Sequence, residues 1–278
     1  MKRLLNIELQ KIWKNKASRI LTISYFLLLA SIALISTINF KFIGIDFKMA
    51  DMGIFNFPFI WHFNTYMAAI LKFFLAIIIV SMMANEYSYG TLKQNLIDGM
   101  SKQEFVLSKC YTVVLFAFTS TVFVFLMTLI LGLCFSNYTE IPIVFTDVSY
   151  VFAYFIKLVG FFSICLFLGI FVKRSAFAIG FLFVWFVLEK IIFQLLKAFV
   201  FSESVSEKIY TFFPLESMSN LIVEPVSRFK AIRTLQNQVA PLAEIKDYGV
   251  HFSTILIVLA WSFIFVYASY RILKKRDL

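Results

Sequence analysis

The fold class is set where an apolar run changes abruptly into a polar segment: residues Phe73 to Phe105 read "FFLAIIIVSMMANEYSYGTLKQNLIDGMSKQEF". The first half suits a helix inside a bilayer, whereas the second half carries glycines and charged residues. Of all 278 residues, 61% are hydrophobic and 15% are charged, with a mean hydropathy of +0.86. This composition excludes a water-soluble globular protein and predicts a membrane protein.

Runs of about 20 mainly apolar residues match the thickness of a bilayer core. Because these runs are continuous rather than alternating, they favour helices over a β-barrel. We therefore predict an all-α, polytopic integral membrane protein with one transmembrane domain over residues 1–278. Its six transmembrane helices are expected at 18–40, 59–84, 110–135, 148–172, 176–201 and 250–270.

Basic residues are unequally divided between the two sets of loops and chain ends. One set holds fifteen Lys and Arg, whereas the other holds seven, mixed with eight Asp and Glu. The positive-inside rule makes the first set cytoplasmic, which places both termini on the cytoplasmic side of a cell (inner) membrane. The net charge of +10 is then a consequence of topology and implies no nucleic-acid partner, although anionic membrane lipids would attract it.

The N-terminal residues 1–17 predict an amphipathic elbow helix lying in the membrane interface, because Leu5, Leu9, Ile12 and Trp13 share one face. An ordinary juxtamembrane tail is the alternative. A cleavable signal peptide is disfavoured, since the polar stretch before the first span is too long and the apolar run is a full span.

The polar region at 86–105 contains the start and stop signals of a short helix. Thr91 and Gln94 form a capping-box pattern, and Gly90 before them suits a tight turn. Gly99 suits the left-handed residue that closes a helix. These signals predict a helix of about two turns.

A second capping box follows at once. Ser101 and Glu104 are spaced to start another helix, which is expected to run through Lys109 into the third span. Two such signals around one glycine predict a rigid helical projection at the membrane surface. A simple, well-behaved loop is the alternative.

The stretch from Asn85 to Lys109, "NEYSYGTLKQNLIDGMSKQEFVLSK", resembles the signature of the ABC-2 family of ABC transporter permeases, which have a type V-like exporter fold. The shared pattern is an acidic residue, then Gly-Thr, then Ser or Arg followed by Lys. The basic amphipathic start, six spans, enlarged external segment at 202–249 and terminal "KKRDL" are also similar. The layout of the whole chain is therefore covered, although only about 25 residues carry a sequence-specific signal.

The resemblance implies that a coupling helix from Leu92 to Asp98 sits in a groove of a separate cytoplasmic ATPase subunit. Two ATPase copies, which bind ATP and Mg, would drive a permease pair formed with a second copy (a homodimer) or a close paralogue, with export as the expected direction. Family members commonly carry Arg near Lys102, and Lys does not reproduce a bidentate contact. The implied coupling residues are Glu86, Gly90, Thr91, Leu92, Gln94, Asn95, Leu96, Asp98, Gly99, Ser101, Lys102 and Glu104.

The sequence contains no motif for ATP hydrolysis. A G-x-x-x-x-G-K-[ST] pattern does not occur, and none of the nine glycines is followed by Lys. His62 and His251 lie near the outer ends of spans without a partner motif, and the three cysteines lack metal-ligand spacing. We therefore predict a permease subunit that is not an enzyme and holds no metal or cofactor of its own.

Four ionisable residues stand out deep inside the predicted spans. Lys72 and Glu189 each lie about 20 Å from the cytoplasmic side at the helical rise per residue, so we expect them to approach each other. Lys157 and Lys190 lie at comparable depth. An unpaired lysine there would cost at least about 3 kcal/mol on insertion scales.

Two interpretations of these charges remain open. Lys72 and Glu189 could line a translocation path, which in the resembled family runs between the second and fifth spans of a permease pair. Alternatively, they form a buried bridge that fixes helix packing, or the lysines extend outward to the headgroups. The structural interpretation is the favoured one.

The external segment at 202–249 is expected to dip back towards the bilayer at 212–214. Its later part predicts an amphipathic helix, in which Phe229, Ile232 and Leu235 share a face. This segment could gate an exit or dock an external partner, or it could be a plain cap over the spans.

Two other functions remain as alternatives: an ATP-independent secondary transporter or channel, and a membrane assembly factor that transports nothing. Recovery of a soluble P-loop protein with the purified chain would distinguish the permease from both. The sequence leaves the substrate open.

Overall fold

A computed structural model describes residues 2–35, 37, 39–42, 45–48, 53–200, 202–228 and 247–276. Long apolar runs without internal proline form most of the helices. The helices are α1 Lys2–Lys14, α2 Lys16–Ile35, α3 Phe59–Ile70, α4 Lys72–Ser88, α5 Thr91–Ile97, α6 Lys102–Phe135, α7 Ile141–Phe145, α8 Ser149–Val172, α9 Ser175–Leu195, α10 Glu203–Tyr210, α11 Pro214–Asn220 and α12 Phe252–Lys275. A π-helical turn at Leu196–Val200 extends α9, and a 3₁₀ turn forms at Val226–Arg228.

A small antiparallel hairpin follows α2. It pairs strand β1, Asn39–Phe42, with strand β2, Ile45–Lys48. The first predicted span, 18–40, was therefore too long at its end. The Thr37 amide donates to the Leu34 carbonyl in a turn, because the Ser-Thr sequence after Ile35 favours turn formation over helix.

Five helical segments are long and apolar enough to cross a membrane: α2, α6, α7 with α8, α9 with its π turn, and α12. The pair of α3 and α4 meets the same criteria together, with a bend of 42° between them. The described residues are mainly helical and hold five or six candidate membrane spans, which agrees with the prediction of a helical, multi-pass membrane protein. The β1–β2 hairpin departs from the all-α prediction.

The bend between α3 and α4 lies at Leu71, directly before Lys72. The Leu71 amide donates to the Ala68 carbonyl at 3.1 Å, and the Phe74 amide donates to the Leu71 carbonyl at 3.1 Å. Both bonds span three residues rather than four, so a 3₁₀-type turn interrupts the α-helix. This turn lies directly before Lys72 and divides the span into two helices.

Helix α8 is the central element, and two of its glycines let neighbouring helices approach closely. A Cβ at Gly160 would lie 2.8 Å from Val258 Cγ1 of α12. A Cβ at Gly169 would lie 3.0 Å from Met83 Cβ and 3.3 Å from the Val80 carbonyl of α4. Helices α12 and α4 therefore pack against α8 at distances that a larger residue would prevent.

The polar segments collect at two opposite ends of the bundle. We call one the α5 end; it comprises α1, the connection from α4 to α6, the α8–α9 turn and the end of α12. Arg276 joins these parts, since its guanidinium donates to the carbonyl of Phe171 at 2.9 Å and to the hydroxyl of Tyr87 at 3.1 Å. At the opposite end, α11 starts at Pro214 and packs on α8 and α12, and Trp261 Nε1 donates to the Phe212 carbonyl at 2.8 Å. The amphipathic helix predicted around 229–235 lies outside the described residues.

The close packing of α8 and α4 gives a direct stability test. Replacing Gly169 by Leu should lower the thermal midpoint of the detergent-solubilised protein, because overpacking costs about 1–3 kcal/mol. Gly180→Leu is the matched control, since nothing lies within 4 Å of a Cβ at Gly180 on α9. Equal midpoints for the two variants, measured by scanning fluorimetry, would contradict this packing.

Candidate functional site

The polar segment after α4 turns at Gly90 and forms α5. Gly90 has a φ of +68° and Gly99 has a φ of +95°, left-handed conformations that glycine adopts without strain. These turns agree with the sequence prediction. The capping box predicted for Thr91 and Gln94 is wrong: Gly90 is the N-cap, and the Thr91 hydroxyl donates to Glu86 Oε2 at 2.5 Å. The Glu86 carboxylate is charged, so it accepts a stronger hydrogen bond from the Thr91 hydroxyl than a neutral oxygen would.

The second capping box is confirmed. The Glu104 amide donates to the Ser101 hydroxyl at 3.1 Å, and the Ser101 amide donates to Glu104 Oε2 at 2.9 Å. This box starts α6, which continues for 34 residues. The angle between α5 and α6 is therefore set by local hydrogen bonds within Gly99 to Glu104.

Helix α5 has one buried and one exposed side. Leu92 is 1% exposed and packs inward, whereas Ile97 is 84% exposed. Tyr89, at the turn before the helix, is also exposed, and Asn95 and Leu96 are half-buried. The outward surface of α5 combines one large apolar side chain with polar and charged ones: Lys93, Gln94, Ile97 and Asp98.

Beneath α5 lies a buried ionic cluster that joins four helices. Lys109 of α6 is 0% exposed, and its amino group lies 2.5 Å from Glu8 Oε2 of α1 and 2.6 Å from Glu86 Oε1 of α4. Lys11 of α1 lies 2.9 Å from the same Glu86 oxygen. Glu86 also accepts from Thr91 of α5. Two carboxylates thus balance two ammonium groups in one apolar setting.

Glu86 was predicted as a site residue, but the other three charged members of the ionic cluster, Glu8, Lys11 and Lys109, were not. A signal for Glu8 was present, because it is the first acidic residue of the chain and the next is Asp46. Its spacing from Leu5 and Ile12 also puts it on the apolar face of α1. An acid on that face requires a buried cation.

Lys102 lies at the start of α6 and contacts the end of α12. Its amino group donates to the carbonyl of Arg276 at 2.8 Å and to that of Lys274 at 3.3 Å. Lys102 therefore holds the end of α12 against the start of α6.

A second site is a cavity of about 500 Å³ beside the α3–α4 bend. We call it the bend cavity; its walls come from α3, α4, α8, α9, α10 and α11. All four ionisable residues singled out in the spans contribute to it: Lys72, Lys157, Glu189 and Lys190.

The predicted pairing of Lys72 with Glu189 is corrected by the geometry. The Glu189 carboxylate instead accepts from Trp185 Nε1 at 2.8 Å, and from the amides of Leu215 at 3.2 Å and Glu216 at 3.3 Å. These amides are free because they begin α11. The Lys72 amino group lies over an aromatic ring, and no ion pair joins it to a carboxylate among the described residues.

Lys157 and Lys190 find other partners. Lys190 lies 3.3 Å from Glu216 Oε2 and 4.9 Å from the Tyr210 ring centroid. The Lys157 amino group is 3.4 Å from the carbonyls of both Ser219 and Ile222. Glu216 and Tyr210 were missed because α10 and α11, which carry them, belong to the segment predicted to lie outside the membrane.

The two histidines occupy structural positions at the end opposite α5. His62 is buried, stacks on Tyr150 with 4.3 Å between ring centroids, and its Nε2 lies 2.6 Å from the Val223 carbonyl. The Arg228 guanidinium contacts its other ring nitrogen at 3.1 Å. These contacts hold the segment after α11 against α3.

His251 precedes α12 and lies 3.0 Å from Asp247. The Gly249 amide donates to the Asp247 carboxylate and lowers the pKa of that carboxyl. No group of three or more His, Cys, Asp or Glu suited to a metal ion occurs in the part of the chain that the structure describes.

Residues 26–278 match the model of a family described as "Protein of unknown function (DUF2705)". The chain belongs to the DUF2705 family. No curated protein matches it.

The range shared with the DUF2705 model begins inside α2. It includes α5, the bend cavity, and Glu86 and Lys109 of the ionic cluster. Glu8 and Lys11 of this DUF2705 protein lie before the matched range. Both candidate sites therefore fall largely within the family region, and only the α1 side of the cluster lies outside it.

Removal of the central lysine tests the ionic cluster. Lys109→Met should destabilise the protein by about 3–5 kcal/mol, because it leaves the carboxylates of Glu8 and Glu86 buried without their main cation. The check is the thermal midpoint in detergent. Lys93→Met, at an exposed position on α5, serves as the control and should change little.

Adding Glu8→Gln to Lys109→Met should recover part of the loss, since one uncompensated charge is then removed. If Lys109→Met were as stable as Lys93→Met, the ionic cluster would not contribute as described.

Proposed function

We propose that this DUF2705 protein is the transmembrane permease subunit of an ABC transporter with the ABC-2 layout, and that α5 is its coupling helix. The observation that supports this most is the geometry of α5. It is a short helix that projects an 84% exposed isoleucine, Ile97, from a firmly anchored base. In a membrane protein, such an exposed, anchored helix is suited to fit a groove of another polypeptide.

The mechanical path starts at α5 and runs in two directions. Helix α4 enters α5 through the turn at Gly90, and α6 leaves it after Gly99 and the Ser101–Glu104 capping box. A force on α5 would be passed to both spans rather than absorbed by a loose loop, because these joints are short and hydrogen-bonded. The ATP chemistry, with Mg, would belong to two copies of a cytoplasmic ATPase subunit.

The residues around α5 divide into two groups by exposure. Contact with the ATPase would be made by the outward ones, which are Gln94 and Asp98 of the implied coupling set together with Lys93 and Ile97, which that set did not include. Leu92, Thr91 and Glu86 would instead support α5 from inside, since they pack or bond within the protein. Lys102 would support the coupling region indirectly, because its amino group holds the end of α12 against the start of α6.

The proposed orientation places the α5 end in the cytoplasm, with both termini on that side of a cell membrane. The excess of Lys and Arg in the segments that form this end supports it. Helix α1 would be the elbow helix at the interface: Ile12 is buried and Trp13 on the same helix is exposed. The segment after α9 would then be external and would cap the spans or meet an external partner.

Transport would require a second permease, either another copy or a close paralogue. Helix α9 exposes apolar side chains on several faces, so lipids or a second permease could cover it. We propose export as the direction, on the family resemblance alone.

The proposal predicts that Ile97→Asp breaks the complex with the ATPase encoded beside this chain. Co-expression and affinity purification should recover the ATPase with the wild-type chain and at least tenfold less with Ile97→Asp, which corresponds to about 1.4 kcal/mol or more. Ile141→Asp is the matched control, because Ile141 is 74% exposed at the opposite end of the bundle.

The readouts are the amount of ATPase recovered and the ATP turnover of the reconstituted complex. An unchanged complex with Ile97→Asp would contradict the role of α5. Substrate movement by the purified chain without any ATPase would instead favour a secondary transporter or channel.

A further inference from the structure

The bend cavity contains an ammonium group that the described residues do not match with a carboxylate. Glu189 is already held by the start of α11, and Lys190 is paired with Glu216. The Lys72 amino group lies 4.5 Å from the centroid of the Phe161 ring. A ring face compensates a buried cation less completely than an anion does, so an anion bound in the cavity would stabilise the charged form of Lys72.

A second ammonium group faces the same cavity. Among the described residues, the Lys157 amino group donates to the backbone carbonyls of Ser219 and Ile222 at 3.4 Å, which is long for a hydrogen bond. The Glu216 carboxylate also attracts Lys157, but less than Lys72 repels it. Lys72 and Lys157 therefore raise each other's electrostatic cost in the cavity that they share. An anion placed in the cavity would relieve both.

The walls of the cavity are suited to an apolar chain. Phe73 of α4, and Phe183 and Phe186 of α9, line it with their rings and are also exposed on the outer surface of the bundle. The rings of Phe73 and Phe183 are nearly parallel, 6.2 Å apart. These residues belong to candidate spans, so in a membrane their exposed surfaces beside the cavity would face lipid. Its volume of about 500 Å³ lies in the range of ligand sites.

We propose that the bend cavity binds an anionic amphiphile, whose phosphate or carboxylate head lies at Lys72 and Lys157 and whose apolar chain passes between α4 and α9. The two lysines favour an anionic head, and the phenylalanine rings favour an apolar chain. Small soluble anions have no apolar chain to contact these rings. Zwitterionic lipids carry a cation that the two lysines repel.

The proposal that this ligand is the cargo of the transporter rests on the permease function proposed above. The proposal that the bend cavity binds the ligand does not rest on that function. Its test therefore uses the purified full chain without ATPase or ATP, so that failure of one proposal is distinguishable from failure of the other.

Native mass spectrometry in neutral detergent compares three probes: dioleoyl phosphatidylglycerol, dioleoyl phosphatidylcholine and glycerol phosphate. We expect phosphatidylglycerol to bind at least tenfold more tightly than either of the others. Lys72→Met should weaken it at least tenfold, whereas Lys72→Arg should retain it. Lys275→Met, at an exposed position near the end of α12 and outside the cavity, is the control for loss of one positive charge.

Three results would overturn the proposal. Equal binding of phosphatidylglycerol to the wild type and to Lys72→Met would remove the role of the cation. Binding of glycerol phosphate as strong as that of the lipid would identify a free-anion site instead. Equal binding of the two lipids would show that charge is not selected. Should Lys72→Met fail to fold, as judged by gel filtration and circular dichroism, Lys157→Met makes the same comparison.

Discussion

The burial of the Lys109 amino group is the constraint on which the α5 end depends. A lysine with no exposed surface needs anions, and here they come from two different helices, Glu8 of α1 and Glu86 of α4. Glu86 in turn contacts Lys11 and Thr91, so α1, the end of α4 and the start of α5 share one charge-balanced core. The direction in which α5 projects follows from this core and from the turns at Gly90 and Gly99.

Helix α4 connects the two candidate sites. It begins at Lys72, beside the bend cavity, and ends directly before the turn into α5. A bend of 42° separates it from α3, so the two halves of this candidate span point in different directions. In the proposed permease, a push on α5 would therefore reach the cavity wall that carries Lys72. Tight packing at Gly169 would transfer the same movement to α8.

Local signals allowed much of the fold to be predicted, and tertiary partners account for what was missed. The long apolar runs, the turns at Gly90 and Gly99, and the Ser101–Glu104 box depend on residues near in sequence, and they form as expected. The Thr91 box failed because a buried Glu86 competes for the hydroxyl. The Lys72–Glu189 pair failed because the amides at the start of α11, distant in sequence, satisfy the carboxylate. The predicted depth correctly indicated that the four charged residues lie near one another, but it could not predict which groups each of them contacts.

The most direct measurement of the central claim is site-specific photocross-linking from α5. A benzoylphenylalanine placed at Ile97 should form a covalent product with the cytoplasmic ATPase in cells that express both proteins, whereas the same group at Ile141 should not. A product that forms at Ile97 and weakens when Lys109→Met disturbs the base of α5 is the predicted result. No ATPase product at Ile97, with the complex otherwise intact, would contradict the account.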